Sequence, residues 1–184
     1  MSGAGSGRRL AATTLALTLS LVAYVPRACA ADAEAGRKKA QVCIACHGGG
    51  GNSTNPVVPS LAGQPRQFIV TQLFMFREGN RKDPQMSPVA VNLTNTDLND
   101  LAAFFSGQNL APASSSIDTS RAAAGRRLTE QYHCISCHGP ALKGQQHIPR
   151  LAGQQRQYLR TQLKEFKAGT RYDMDGNMTS AAQP

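Results

Sequence analysis

Two copies of C-x-x-C-H constrain this chain more than any other feature: Cys43-Ile44-Ala45-Cys46-His47 and Cys134-Ile135-Ser136-Cys137-His138. The motif reads as covalent c-type haem attachment, in which two thiols add across the haem vinyl groups and the adjacent histidine reaches the iron as proximal ligand. Two motifs imply two haems. A C-x-x-C pair can also be a disulfide, a thioredoxin-like redox pair or half of a zinc site. A redox pair opens a helix after a buried strand, and no β-branched run precedes Cys43 or Cys134. Joining the two motifs would supply four thiols for zinc, but neither zinc nor redox chemistry explains a histidine after the second cysteine in both copies.

More than the motif is repeated. Pro59-Ser60-Leu61-Ala62-Gly63-Gln64-Pro65-Arg66-Gln67-Phe68 returns as Pro149-Arg150-Leu151-Ala152-Gly153-Gln154-Gln155-Arg156-Gln157-Tyr158, and Thr71-Gln72-Leu73 returns as Thr161-Gln162-Leu163. Identity over so long a period is duplication of a domain rather than a solenoid. The stretch Ala111 to Ser116 is small, polar and proline-bearing, as expected of a linker. The expected organisation is a signal segment 1–30, domain 1 at 31–110, a linker at 111–120 and domain 2 at 121–184. Each half is small for a self-sufficient apolar core, a deficit the haem would fill.

The reading within each half is helical, and the fold class expected is all-α. Asp32 can start a helix over Ala33 to Cys43. Pro65 to Glu78 places Pro65 in the first turn, Ile69, Leu73 and Phe76 on one face, and Gly79 at the stop. Thr94-Asn95-Thr96-Asp97 resembles a capping box, with Leu98, Leu101 and Phe105 following at helical spacing.

Residues 1–30 read as an export signal: Arg8 and Arg9 are followed by the apolar run Leu10 to Val25, and Ala28-Cys29-Ala30 fits a small-residue cleavage site. Cleavage after about Ala30 removes Cys29, and the two motifs use every remaining cysteine, as expected of an exported haem protein rather than a disulfide scaffold. A retained membrane anchor is the competing reading, although the apolar run is short for a span. The chain is basic, with net charge +9, and the excess leans towards the second half. Such a face suits an acidic redox partner or association with an anionic membrane surface. Nucleic acid is not expected, because nothing interleaves aromatic with basic residues and no nucleic-acid motif is present.

An iron that shuttles electrons without binding substrate needs a sixth ligand, and methionine, a second histidine, water or nothing are the choices. Met75 falls inside the Pro65 to Glu78 helix, where packing is the expected role. Met86 stands in the loop Asp83-Pro84-Gln85-Met86-Ser87-Pro88, and Met178 aligns with it through the repeat after a two-residue insertion. These two are the expected axial ligands, with Met174 the competitor in the second half. His133 and His147, the only histidines outside the motifs, are expected on the surface.

At this level the chain resembles the di-haem cytochromes c4 of the class I cytochrome c superfamily. The resemblance rests on the two Cys-x-x-Cys-His-Gly segments, the Pro-x-Leu-Ala-Gly-Gln-x-Arg-Gln-aromatic segments, and the Met-x-Pro-x-Ala stretch leading into Leu93 to Phe105. It implies two tandem class I cytochrome c domains, each wrapped around covalently attached haem and packed face to face. It implies that the carbonyls of Pro59 and Pro149 accept a hydrogen bond from the proximal imidazoles His47 and His138. It also implies that Gly36 and Gly125 mark where the first and last helices of a domain cross. One departure stands out: domain 1 runs on from Met86 to Gln108, whereas only Thr179 to Pro184 follow Met178. The second domain is therefore expected to lack its last helix, with a second haem that is partly open or weakly ligated.

The implied function is that of a periplasmic electron carrier between respiratory redox proteins, without catalytic residues. A terminal oxidase or a membrane cytochrome complex would be a fitting partner. The alternative is a cytochrome subunit of a larger oxidoreductase, of flavoprotein sulfide dehydrogenase or alcohol dehydrogenase type. A di-haem enzyme of peroxidase type is a third option, which the methionine in each half argues against.

Overall fold

A computed structural model describes Met1, Gly3, residues 30–112 and residues 118–183. The expected signal segment, apart from those few residues, and the middle of the linker lie outside the described residues. Helices α1 (Ala33–Lys39), α2 (Gln41–His47), α3 (Arg66–Arg77), α4 (Met86–Ala90) and α5 (Asn95–Ser106) form domain 1. Domain 2 has α6 (Thr119–Gln131), α7 (Cys134–His138), α8 (Arg156–Lys167) and α9 (Asn177–Ala181). Among the described residues the only β pairing is an isolated bridge between Gln145 and Ile148, and the all-α expectation holds.

The helix boundaries follow local chemistry. Asp32 caps α1 by accepting from the backbone of Glu34 and Ala35. The expected single helix over Ala33 to Cys43 is broken at Ala40, and a second short helix carries the chain to His47. Pro65 stands at the N-cap position of α3, one residue before the first turn and without a side-chain cap, and Gly79 follows the helix end with a positive φ. Thr94 and Asp97 form the expected capping box on α5, where Leu98, Leu101 and Phe105 are almost fully buried.

α1 and α5 cross at Gly36, as the resemblance implied. A Cβ there would lie 2.0 Å from the Asp100 carbonyl oxygen. Asp100 is itself buried: its carboxylate accepts from the Asp32 N–H at 2.8 Å and pairs with Lys39 at 2.8 Å, tying the start of α1 to α5. Around this crossing Ala40, Ile69, Leu101, Ala102 and Phe105 make one core, with Cys43 and Ile44 packed against it.

Domain 2 departs from this pattern at Gly125, where a Cβ would meet nothing within 4 Å. No residue of α6 is buried, because no helix among the described residues lies across it. An open groove of about 560 Å³ runs along α6 and α7, lined by Ala122, Gly125, Thr129 and Ile135 among others. The segment from Gly125 to Cys134 is two residues longer than that from Gly36 to Cys43. His133 absorbs the difference in a left-handed conformation, φ +54°, between α6 and α7.

The domains meet through pairs of contacts related by the repeat. The Phe68 N–H in the first turn of α3 donates to the Gln146 carbonyl at 3.0 Å, and the Tyr158 N–H in α8 donates to the Pro56 carbonyl at 3.1 Å. Each domain thus satisfies an otherwise unpaired helix-start donor of the other. Gln64 and Gln154 each bracket one residue of the opposite domain. Arg81 and Arg171 stack over Phe76 and Phe166 at 4.5 Å and share Gln72 and Gln162.

Candidate haem centres

In each C-x-x-C-H segment a short helix keeps the three side chains together. Cys43 and Cys134 are half-buried, Cys46 and Cys137 exposed, and all four thiols are free. Burial pushes the Cys43 thiol up from its ordinary value, with the neighbouring Cys46 adding to the effect. The histidine closing each helix turns inwards: His47 and His138 are 6% and 4% exposed.

The decisive contact is on Nδ1. His47 Nδ1 donates to the Pro59 carbonyl at 2.8 Å, and His138 Nδ1 donates to the Pro149 carbonyl at 2.8 Å. A carbonyl only accepts, so the proton sits on Nδ1 and Nε2 keeps its lone pair, the tautomer a metal ligand needs. Burial lowers the pKa of both imidazoles, holding them neutral, against a smaller upward pull from the proline carbonyls.

Met86 is the first residue of α4 and Met178 the second residue of α9, two corresponding short helices. The Asp83 carboxylate accepts from the backbone N–H of Gln85 at 2.9 Å and of Met86 at 2.8 Å. Asp173 does the same for Met178 at 2.9 Å and Thr179 at 3.3 Å, with Gly176 in a left-handed turn taking up the two-residue insertion. This matched device aligns Met178 with Met86. The competitor Met174 is 69% exposed. Met75 is buried packing, as expected. His147 is exposed and pairs with Asp175 at 3.1 Å, while His133 serves as the joint before α7.

These residues fit haem c. Two thiols and a buried imidazole with a free Nε2 recur in both domains. Among the described residues no three His, Cys, Asp or Glu side chains gather as a metal cluster, so the four-thiolate zinc site is not built. Arg81 and Arg171 are buried at the interface; among the described residues neither forms an ion pair, and Arg171 Nε has no hydrogen-bond partner. Burial first, then the charge of Arg81, brings Arg171 down to about 10. Two buried cations, neither of them ion-paired among the described residues and only Arg171 feeling a nearby carboxylate, that of Glu165, suit an anionic cofactor.

Sequence reasoning missed the Asp83 and Asp173 braces, the interface arginines and the bracketing glutamines. The signal for all of them was present, since each pair sits at matching positions of the repeat.

Comparison with known proteins agrees with this geometry. The cytochrome c family profile matches residues 33–108 and 122–184. Cytochrome c4 of Thiocapsa roseopersicina is 39% identical over 163 residues, covering 82% of this chain and 83% of the relative. The crystal structure of reduced recombinant cytochrome c4 from Pseudomonas stutzeri superposes with a TM-score of 0.77 at 34% identity, covering 83% of this chain and 90% of that one. A protein named thiosulfate dehydrogenase electron acceptor, from Thiomonas intermedia, is 37% identical over 144 residues, 72% of this chain and 66% of that relative. The fold and the paired attachment motifs define a two-domain class I cytochrome c. The chain belongs to the cytochrome c family and, within it, to the di-haem cytochromes c4. It carries two covalently bound haem c groups.

Proposed function

We propose that this chain is a periplasmic electron carrier in which Cys43, Cys46, Cys134 and Cys137 hold the haems and His47, Met86, His138 and Met178 are the axial iron ligands. Bound haem supplies one-electron redox chemistry. The protein binds it through the thiols, orients each imidazole through Pro59 or Pro149, and presents each methionine from an aspartate-held turn. The observation that carries the reading is the recurrence in both domains of a buried histidine with Nδ1 tied to a proline carbonyl and Nε2 left free. An outer-sphere carrier needs no catalytic side chain, only a ligand field, burial and docking surfaces.

Carbon monoxide titration of the reduced protein tests the ligand set. The firm assignment of both methionines predicts that neither haem binds it; one equivalent bound would show that Met178 does not ligate firmly. Mass spectrometry should find two haems and an N-terminus near Ala31, the latter testing export and cleavage. A second reading, electron acceptor or subunit of a larger oxidoreductase, is favoured by the likeness to the thiosulfate dehydrogenase electron acceptor. Stable copurification with a catalytic subunit would select it. The partners in either case are redox proteins.

A further inference from the structure

Each motif histidine is tied to one peptide unit, and that same peptide unit is tied to the other domain. Between Pro59 and Ser60 the carbonyl accepts from His47 Nδ1 at 2.8 Å, while the N–H donates to Gln154 Oε1, also at 2.8 Å. Between Pro149 and Arg150 the carbonyl accepts from His138 Nδ1 at 2.8 Å, while the N–H donates to Gln64 Oε1 at 2.9 Å. Each glutamine completes its bracket with Nε2: Gln154 donates to the Ser60 carbonyl and Gln64 to the Arg150 carbonyl, both at 2.9 Å. Gln64, Ser60 and Arg150 are buried and Gln154 is half-buried, which limits the competition from water for these groups.

We propose that Gln64 and Gln154 are crossed positioning residues, each lowering the reduction potential of the haem in the opposite domain through one peptide unit and its proximal histidine. This rests on His47 and His138 being the proximal ligands.

The physical chain is short. An acceptor on a peptide N–H draws electron density towards the carbonyl oxygen of that peptide, and hydrogen bonds in series strengthen one another by about 10–30%. A stronger carbonyl acceptor pulls harder on the Nδ1 proton and makes Nε2 more basic. A more basic axial ligand favours the ferric state over the ferrous state. Because the brackets cross the interface, separating the domains would release both histidines from this influence. The hydrogen-bond chains are near-equal in length but differently anchored. The Arg150 guanidinium also donates to the carbonyls of Gly63 and Ala62, whereas the Ser60 hydroxyl accepts from the Ser53 N–H.

Spectroelectrochemistry of the full-length holoprotein tests the proposal, with the two haems distinguished by the NMR signals of their ring methyls. Gln154→Met should favour reduction of the domain 1 haem by about threefold, or ~30 mV at 59 mV per decade for one electron, with a smaller change in domain 2. Gln64→Met should do the reverse. The hyperfine-shifted NMR signals of the proximal histidine ring in the ferric protein should move on the same crossed pattern. Gln155→Met is the control: it removes an interdomain bond to the Ser53 carbonyl without touching either peptide, and both potentials should stay put. Equal shifts of both haems in each variant, a shift confined to the substituted domain, or no shift would overturn the proposal. If one variant does not accumulate as folded protein, the other carries the crossed test alone. Failure of the ligand assignment itself is distinguishable, because it alters the haem spectrum of the unsubstituted protein.

Discussion

Domain 1 is closed by α5 across α1, whereas α6, the counterpart of α1, lies uncovered among the described residues. Yet the placing of the proposed ligands barely differs: the two histidine-to-proline bonds are both 2.8 Å, and both methionine turns are held by an aspartate. The comparison teaches that the last helix builds the core rather than the site. The site is held by the loop after the motif, which the opposite domain braces, and by the aspartate that caps the methionine turn.

The largest expected effect sets the two cores apart. Phe105 is buried at the centre of domain 1, edge-on to Phe104 with ring centroids 5.0 Å apart. Phe105→Ala should destabilise by about 3–5 kcal/mol, mostly as a cavity. Leu128 on α6 is 51% exposed, and Leu128→Ala should stay within about 0.5 kcal/mol. Calorimetry on the holoprotein measures both. A large loss at Leu128 would mean that a helix covers α6 in solution.

The glycine pair sharpens the same contrast. Gly36→Ala drives a methyl into the Asp100 carbonyl, backbone that cannot step aside, and should cost about 3 kcal/mol. Gly125→Ala meets open space and should gain about 0.5–1 kcal/mol from helix propensity. Equal losses at the two positions would erase the structural difference between the domains.

These features were unevenly legible in the sequence. The motifs, the repeat, the α5 capping box and the α3 punctuation are local signals, in which spacing and side-chain chemistry act within a turn or two. Gly36 was reached through family resemblance, and the same reasoning failed for Gly125, because a glycine's close approach depends on a second helix that local sequence does not contain. Asp100, the two arginines and the bracketing glutamines were missed for a related reason. Each is polar in sequence and buried in the fold, and its partner lies in another helix or another domain. Asp83 and Asp173 were closer to hand: an aspartate shortly before a methionine in the first turn of a short helix, present in both halves, is a capping pattern.

A smaller effect separates the methionine turns. Ala90 in α4 is fully buried, whereas no residue of α9 is, so Asp173 carries a larger share of holding Met178 in place. Removing a cap of this kind costs about 1 kcal/mol. Asp173→Ala should therefore raise carbon monoxide binding to the reduced second haem by about fivefold, at 1.4 kcal/mol per decade. Asp83→Ala should leave the first haem closed. Equal opening of both would show that the packing of α4 adds nothing to the hold on Met86.

The smallest expected effect is in acid. Domain 1 has an interhelical cluster in which Lys39 lies 2.7 Å from Asp97 and 2.8 Å from Asp100. The Lys39 ammonium, followed by the Thr94 hydroxyl and backbone, brings Asp97 down to about 2; Lys39 and then the Asp32 N–H also lower Asp100. An unfolded aspartate titrates near ~3.9. Unfolding below that value therefore takes up protons, and the cluster's contribution, complete above it, is lost as pH falls towards 2. Lys39 is raised by the same two carboxylates, so its share persists through neutral pH and fades only above the ordinary lysine range. In domain 2 the corresponding helix start relies on Asp118, lowered by the Ser120 hydroxyl and the Arg121 backbone within its own turn. Acid should thus loosen the α1–α5 crossing through the loss of a cross-link, while it only frays the start of α6. Circular dichroism followed from about pH 5 to 2 should give a shallower stability slope for Lys39→Met than for the unsubstituted protein. An unchanged slope would mean that Thr94 and the Asp32 backbone hold the two carboxylates without the lysine.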